Sequence, residues 1–366
     1  MSRVASPAVS LSGCKTVSPS GCQTIVPPYI LDAISRRGDE FERSRARETL
    51  LQTERLRGHR DAIGGTCPAI PAGEERRTVY DEAGGSVLPG RLVRGEGGTS
   101  SKDPAVNEAY DGAGATYDFY EKAFCRSSID GKGMRLDSSV HYGRNFDNAF
   151  WNGTQMVYGD GDGRIFNRFT VAVDVIGHEL THGVTGTEAN FDYEWQPGAL
   201  NESFSDVFGS LVKQWKRQEK ADQADWIIGA GLFTAKVRGR GIRSMLHPGT
   251  AYDDPILGKD PQPATMRDFY EGYDDNGGVH VNSGIPNRAF ALAAIAIGGF
   301  AWEKAGMIWY AALTERLRNT SDFKDAAAST VAIAGERYGS AVEKAVRDAW
   351  RTVGVPLASK AAASAG

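Results

Sequence analysis

His178 and His182 stand four residues apart with Glu179 between them, in the run His178-Glu179-Leu180-Thr181-His182. On a helix, residues four apart share a face, one above the other. Both imidazoles can therefore turn a ring nitrogen toward one ion. Zinc suits them, because it accepts imidazole nitrogen at about 2.0–2.1 Å and tolerates a position left open for water. Glu179 projects close to the same face, where its carboxylate can act as a general base toward that water. The pattern is that of a hydrolytic zinc site.

A catalytic zinc wants a third protein ligand. Glu202, in Asn201-Glu202-Ser203-Phe204-Ser205-Asp206, is the candidate. Asp206 lies one helical turn further on and is placed to accept a hydrogen bond from a ligand imidazole, fixing its tautomer. A solvated helix face is the alternative for this carboxylate pair. The elements needed are two helices. The sequence predicts one from Arg168 to about Thr187, long and buried, and a second over roughly Ala199 to Gln218, set up by Pro197 and Gly198.

Around these helices the chain divides by composition. Residues 1 to about 25 are small and polar and read as disordered. Pro27-Pro28-Tyr29-Ile30 opens a short helix through Ser35, and a charged helix is expected from Asp39 to Leu56. A Gly/Pro-rich linker, Gly64 to Gly73, leads to the basic pair Arg76-Arg77. Strands are predicted at Val79-Tyr80, Arg91–Val93 and Val140–Tyr142, and a helix from Ala105 to Phe124. Ala149-Phe150-Trp151 and Thr154–Tyr158 read as a hairpin about a two-residue turn, Asn152-Gly153. Apolar residues at helical spacing mark Asn287–Ile297, Trp302–Leu317, Asp322–Tyr338 and Ala341–Val353.

The whole chain has 366 residues, 41% hydrophobic and 24% charged, with a net charge of −4. That is an ordinary globular composition with more than one structural unit. No dense basic stripe marks a nucleic-acid partner. The longest apolar run, Ala289 to Trp302, is too short and too interrupted by glycine to span a bilayer. Four cysteines make no disulfide framework in a chain of this length. No secretory signal is visible at the N-terminus.

The run from His178 to Thr185, followed by Asn201-Glu202 and Ser205-Asp206, resembles the zinc signature of the thermolysin-like metallopeptidases. Asn148–Gly153 resembles that family's active-site edge strand. Arg243-Ser244-Met245 and Asp275–Gly284 resemble its substrate-binding and transition-state segments. The resemblance covers roughly Val79 to Val353. It implies an α+β fold in which a β-rich N-terminal lobe and a helical C-terminal lobe flank a cleft floored by the zinc helix. It also implies a zinc endopeptidase acting on proteins and peptides: His178, His182 and Glu202 hold the metal, Glu179 is the base, and His280 and Tyr193 stabilise the oxyanion. Asp275 orients His280, Asn148 and Ala149 hold the substrate as an added strand, and Arg243 binds its primed-side carbonyl. Phe166, Phe169, Val175, Ile228 and Ile242 are candidates for an apolar pocket just after the cut, or for core packing. A zinc aminopeptidase and a catalytically silent zinc-binding homologue are the rival readings.

The match breaks at calcium. Asp174 and Asp225 fall at ligand positions of the family's paired calcium site, but Lys213 stands where an acid is needed, and two carboxylates cannot supply six to eight oxygens. A salt bridge from Lys213 is expected instead. Asp160-Gly161-Asp162-Gly163 has calcium-loop composition but reads as a turn. The N-terminal segment resembles the short propeptide of protealysin-like members, through Pro27-Pro28-Tyr29-Ile30. The implied organisation is a propeptide over 1–77 that inhibits its own enzyme and is removed near Arg76-Arg77. The β-rich lobe with the zinc helix then spans 78–187, the helical lobe 188–353, and a loose tail 354–366. Cys67 is a candidate zinc ligand in the latent form, or a free thiol. A monomer without membrane attachment is expected, extracellular by resemblance and cytoplasmic by its lack of a signal.

Overall fold

The computed structural model describes residues 23–60 and 76–357. Its N-terminal half is built on a six-stranded mixed sheet in the order β1-β5-β6-β4-β2-β3. The strands are β1 (Gln23–Thr24), β2 (Arg77–Asp81), β3 (Arg91–Arg94), β4 (Leu136–Val140), β5 (Ala149–Trp151) and β6 (Met156–Tyr158). Two helices precede β2: α1 (Pro28–Arg37) and α2 (Glu40–Arg60). Pro28 sits at the first helical position, where its missing N–H is no loss. Between β3 and β4 runs α3 (Pro104–Phe124), capped by the Asp103 side chain, which accepts from the Ala105 N–H.

The remainder carries α4 (Val173–Thr187), α5 (Trp195–Arg217), α6 (Asp274–Asn282), α7 (Gly284–Ile297), α8 (Ala305–Glu315), α9 (Phe323–Tyr338) and α10 (Ser340–Thr352), with two small antiparallel strand pairs between α5 and α6, Ile227–Ile228 with Arg243–Ser244 and Asp253–Asp254 with Gly258–Lys259. Most of these match the sequence expectation to within a few residues. The zinc helix is shorter than predicted, because a 3-10 turn at Phe169–Val171 takes up its expected start. The hairpin also differs. Trp151 pairs with Met156, so the loop holds Asn152 to Gln155, and the Asn152 carboxamide oxygen accepts from the amides of Thr154 and Gln155. That side-chain turn competes successfully with the tighter two-residue loop.

Helices α4 and α5 cross closely because glycines face each other at the crossing. A Cβ on Gly209 would lie 2.4 Å from the Asp174 carbonyl oxygen, and one on Gly177 would lie 3.1 Å from the Gly209 Cα. This approach brings Glu202 of α5 level with the histidines of α4. Phe166, Phe169, Val175, Ile228 and Ile242 are all buried in the main core, with Phe166 packed on Phe169 and Phe233.

The reading of residues 1 to about 25 as disordered fails at its end. Gln23 and Thr24 form β1, and Gln23, Thr24, Ile25 and Val26 are all buried. Gln23 and Thr24 are polar, and their order comes from pairing with β5, far away in sequence, which no local pattern reveals. Residues 1–22, with Cys14 and Cys22, and the linker with Cys67 lie outside the described residues. Cys125 is exposed and ends α3 in a left-handed conformation.

Candidate active site

His178 and His182 point their Nε2 atoms at each other, 3.0 Å apart. The Glu202 carboxylate closes the triangle at 3.5 Å from His178 Nε2 and 3.6 Å from His182 Nε2. All three residues are buried. The other ring nitrogens are already committed. His178 Nδ1 donates to Asp206 at 2.8 Å, and His182 Nδ1 donates to the Asn201 carboxamide oxygen at 3.0 Å, with Ser205 Oγ also 2.9 Å from it. Each Nε2 therefore directs a lone pair at the same point as a carboxylate whose Oε2 has no hydrogen-bond partner. Two lone pairs and an anion converging in a buried place repel one another unless a cation joins them. The donor set, two imidazoles and one carboxylate, is one that zinc prefers. The residues fit the metal.

Asp206 does more than steady one histidine. Burial opposes its ionisation, but Arg243 and His178 hold its pKa down to about 2. Arg243 meets it through two hydrogen bonds of 2.7 Å, and Asn287 Nδ2 donates to it at 2.8 Å. Glu179 lies on α4 beside His178, with Oε2 accepting from the Trp151 amide at 3.0 Å and Oε1 without a partner. Burial raises it to about 8, close to the range in which a general base works best near neutrality.

Across the cleft, His280 Nδ1 meets Asp275 at 2.7 Å, and the other Asp275 oxygen accepts from the His280 amide at 2.8 Å. Burial would neutralise this imidazole, but the Asp275 and Glu202 carboxylates raise its pKa. Its Nε2 faces the cleft, 3.4 Å from Tyr193 Oη, which also bonds Glu202, and 3.2 Å from the Thr24 carbonyl oxygen, which only accepts, so Nε2 is the donor. The backbone that places Asp275 is left-handed over four successive residues, Asp275 to Gly278. Glycine is required at its end: a Cβ on Gly277 or Gly278 would come within 2.5 Å of the Trp195 or Tyr270 ring.

The structure brings His178, Glu179, His182, Tyr193, Glu202, Asp206, Arg243, Asp275 and His280 together at one cleft, edged by Asn148 and Ala149, whereas the five apolar pocket candidates lie in the main core. Arg243 is fully buried there, paired with Asp206. What the sequence reading left without a role is the support: Asn201, Ser205 and Asn287. Asn201 and Ser205 flank Glu202 within the zinc motif itself, so the signal was present; Asn287 carries none.

The cleft is occupied by the chain's own β1 segment. Gln23 pairs with Trp151 and Thr24 with Phe150, antiparallel. The Ile25 amide donates to the Ala149 carbonyl at 3.2 Å, and the Val26 amide donates to Asn148 Oδ1 at 2.9 Å. Arg243 Nη1 donates to the Ile25 carbonyl at 3.1 Å, and His280 Nε2 lies 3.2 Å from the Thr24 carbonyl oxygen.

A second buried cluster shares the α4–α5 seam. Lys213 Nζ lies 2.9 Å from Asp174 and 2.8 Å from Asp225, and also bonds the Ile227 carbonyl. The salt bridge expected in place of the paired calcium ligands is present. Asp162 accepts from the amides of Arg164, Ile165 and Phe166, as a turn.

Comparison with known proteins agrees with this geometry. Residues 73–186 match the thermolysin metallopeptidase catalytic domain, 189–355 its alpha-helical domain, and 23–60 the protealysin propeptide. The chain is 51% identical over 333 residues to an extracellular metalloprotease of Pectobacterium carotovorum subsp. carotovorum, covering 91% of this chain and 96% of that protein. It is 41% identical over 288 residues to a thermolysin of Alicyclobacillus acidocaldarius subsp. acidocaldarius, covering 76% of this chain and 50% of the relative. The solved precursor of protealysin, a metalloproteinase from Serratia proteamaculans, superposes with a TM-score of 0.85 at 52% identity, covering 91% of this chain and all of that one. The chain therefore belongs to the thermolysin metallopeptidase family, as a zinc metalloendopeptidase made with a protealysin-type propeptide.

Proposed function

We propose that the enzyme hydrolyses internal peptide bonds of proteins with Glu179 as general base, and that its propeptide holds it latent by lying in the cleft as a substrate would. Zinc, held by His178, His182 and Glu202, supplies a Lewis acid that polarises the carbonyl and acidifies water. Glu179 takes a proton from the attacking water and passes it to the departing nitrogen. Protonated His280 and Tyr193 donate to the oxygen on which charge develops, each such donor being worth about 2.7–4 kcal/mol. Asp275 keeps His280 charged and oriented. Asn148, Ala149 and Arg243 hold the substrate backbone extended along β5.

The observation that carries this reading is the occupant of the cleft. A polypeptide passes through it with chain on both sides, as an endopeptidase requires and an aminopeptidase, which must bind a free amino terminus, does not. The propeptide is anchored to the catalytic part away from the cleft as well. Glu42 pairs with Lys236, Asp39 with Arg164 at 2.7 Å, and Arg45 Nη1 bonds the Arg144 carbonyl at 2.6 Å. Arg77 opens β2 and grips Glu96 at 2.6 Å, while the Arg76 carbonyl accepts from the Leu136 amide. Those bonds favour removal of the propeptide on the N-terminal side of the Arg76-Arg77 pair. Export fits relatives named as extracellular, and we place the mature enzyme outside the cell as a monomer. Among the described residues no helix is long and apolar enough to cross a membrane.

Casein hydrolysis tests the mechanism. The zinc-loaded, processed enzyme cleaves casein; a chelator stops it; and Glu179→Ala, produced without its propeptide, loses about 10²–10⁴-fold. Equal rates for Glu179→Ala and the unaltered enzyme would overturn it.

A further inference from the structure

The contacts of β1 define which propeptide bond lies against the catalytic groups. Four of them are backbone contacts of the kind that fix a substrate's register. The Ile25 amide is held by Ala149, the Ile25 carbonyl by Arg243, and the Val26 amide by Asn148. The fourth is the contact of the Thr24 carbonyl oxygen with His280 Nε2 at 3.2 Å. His280 is the group assigned above to the oxygen that gains charge, so the carbonyl it meets belongs to the bond placed for attack. That bond is Thr24–Ile25. Asn148 grips Val26 from both ends, since Asn148 Nδ2 also donates to the Val26 carbonyl at 3.3 Å. The segment cannot slide by one residue without losing this whole set, because alternate residues would then face the wrong side.

We propose that the enzyme makes its first cut in its own propeptide at Thr24–Ile25, giving a nicked chain that begins at Ile25 and remains latent. This rests on the peptidase reading above and adds to it a defined bond and an order of events. In the step, the oxygen of water bonds to the Thr24 carbonyl carbon and the carbon–nitrogen bond to Ile25 breaks. One proton of the water goes to the Ile25 nitrogen by way of Glu179, and the second follows as the new carboxyl group ionises. The products are a carboxylate at Thr24 and an ammonium at Ile25, with no other reactant. Latency survives because everything that anchors the propeptide outside β1 lies after the cut. Ile25 and Val26 keep their contacts with Arg243 and Asn148, and α1 and α2 keep theirs with Arg164, Arg144 and Lys236.

The test follows metal-stripped full-length chain after zinc is added, by intact mass and by casein hydrolysis in parallel. A species beginning at Ile25 should accumulate before casein activity appears. A chain beginning at position 25 should be absent in Glu179→Ala and in Ile25→Pro, which lacks the N–H that Ala149 holds, and present in Ile25→Val. Casein activity arising with no species beginning at Ile25 at any time would overturn the proposal while leaving the peptidase reading intact. The register has its own readout without metal or turnover. In the metal-stripped full chain, the Ile25 and Val26 amide hydrogens should exchange at least about 10-fold more slowly than in a free peptide spanning Gln23 to Tyr29. Asn148→Ala should release the Val26 amide. Equal exchange in chain and peptide would sink the register, whether or not casein is cleaved.

Discussion

Two buried ionic clusters share the seam between α4 and α5, one helical turn apart on α4, and they solve the same problem in opposite ways. At His178, His182 and Glu202, nitrogen and oxygen lone pairs converge and the cation must come from outside. At Asp174 and Asp225 the chain brings its own cation, the Lys213 ammonium. Both avoid the cost of an uncompensated buried charge. The difference lies in what each can do afterward. An ammonium with its three donors directed at Asp174, Asp225 and the Ile227 carbonyl is saturated and serves only to hold helices together. A metal on three ligands keeps a position for water and can do chemistry. The comparison teaches that the carboxylates on this seam do not by themselves mark a metal site; the cation present among them decides.

The comparison predicts its largest stability effect at Lys213. Lys213→Met leaves Asp174, which is 1% exposed, without its counter-charge. Removing one partner of a buried pair costs about 3–5 kcal/mol. Urea unfolding in a Glu179→Ala background, which prevents self-digestion, should show that loss, and adding Asp174→Asn to Lys213→Met should restore most of it. Calcium should leave the unfolding midpoint of the parent chain unchanged. A loss below about 1 kcal/mol for Lys213→Met would place this cluster with surface pairs and break the comparison.

The metal-side counterpart is Asp206→Asn. Asp206 holds His178 and Arg243 together, so its loss touches both the zinc ligand and the guanidinium that holds the Ile25 carbonyl. Removing such a partner of a metal histidine weakens zinc binding about 10–100-fold. Competition with a chelator of known affinity measures it. An unchanged zinc affinity would mean that α4 alone orients His178.

How much of this was legible depends on range. The zinc ligands, Glu179 and Asp206 lie on two helices whose turn-by-turn spacing is written locally, and α3 and α7 to α10 announce themselves through apolar periodicity. Lys213 was legible as a charge inversion within a known pattern. Asn287 was not, because a buried asparagine on α7 that reaches Asp206 depends on how α7 packs against α5. The ordering of Gln23 and Thr24 was hidden for the same reason: their partners are the β5 backbone and His280, and nothing in two polar residues announces either. The hairpin loop was misread because Asn152-Gly153 satisfies the two-residue rule, while the Asn152 side chain stabilises a longer one.

A third cluster tests the comparison at its weak end, where solvent enters. His141 lies between Asp160, at 2.9 Å from Nδ1, and Asp103, at 2.7 Å from Nε2. Both ring nitrogens face carboxylates, which only accept, so the ring must donate from both and carry a charge. The Asp160 hydrogen bond, against the pull of burial and with help from Asp103, raises its pKa to about 9. Because the folded value lies above the unfolded one near 6.5, the stabilisation is complete below about pH 6.5 and is lost as pH rises through about 9. The two carboxylates are 38% and 44% exposed, so water screens the pairs, and the contribution should stay near 1 kcal/mol or less. His141→Gln, again in the Glu179→Ala background, should therefore unfold earlier than its parent at pH 6, with the gap closing by about pH 10. A gap that persists at pH 10 would show that His141 acts by packing between the Asp103 cap of α3 and the Asp160 turn, not by its charge.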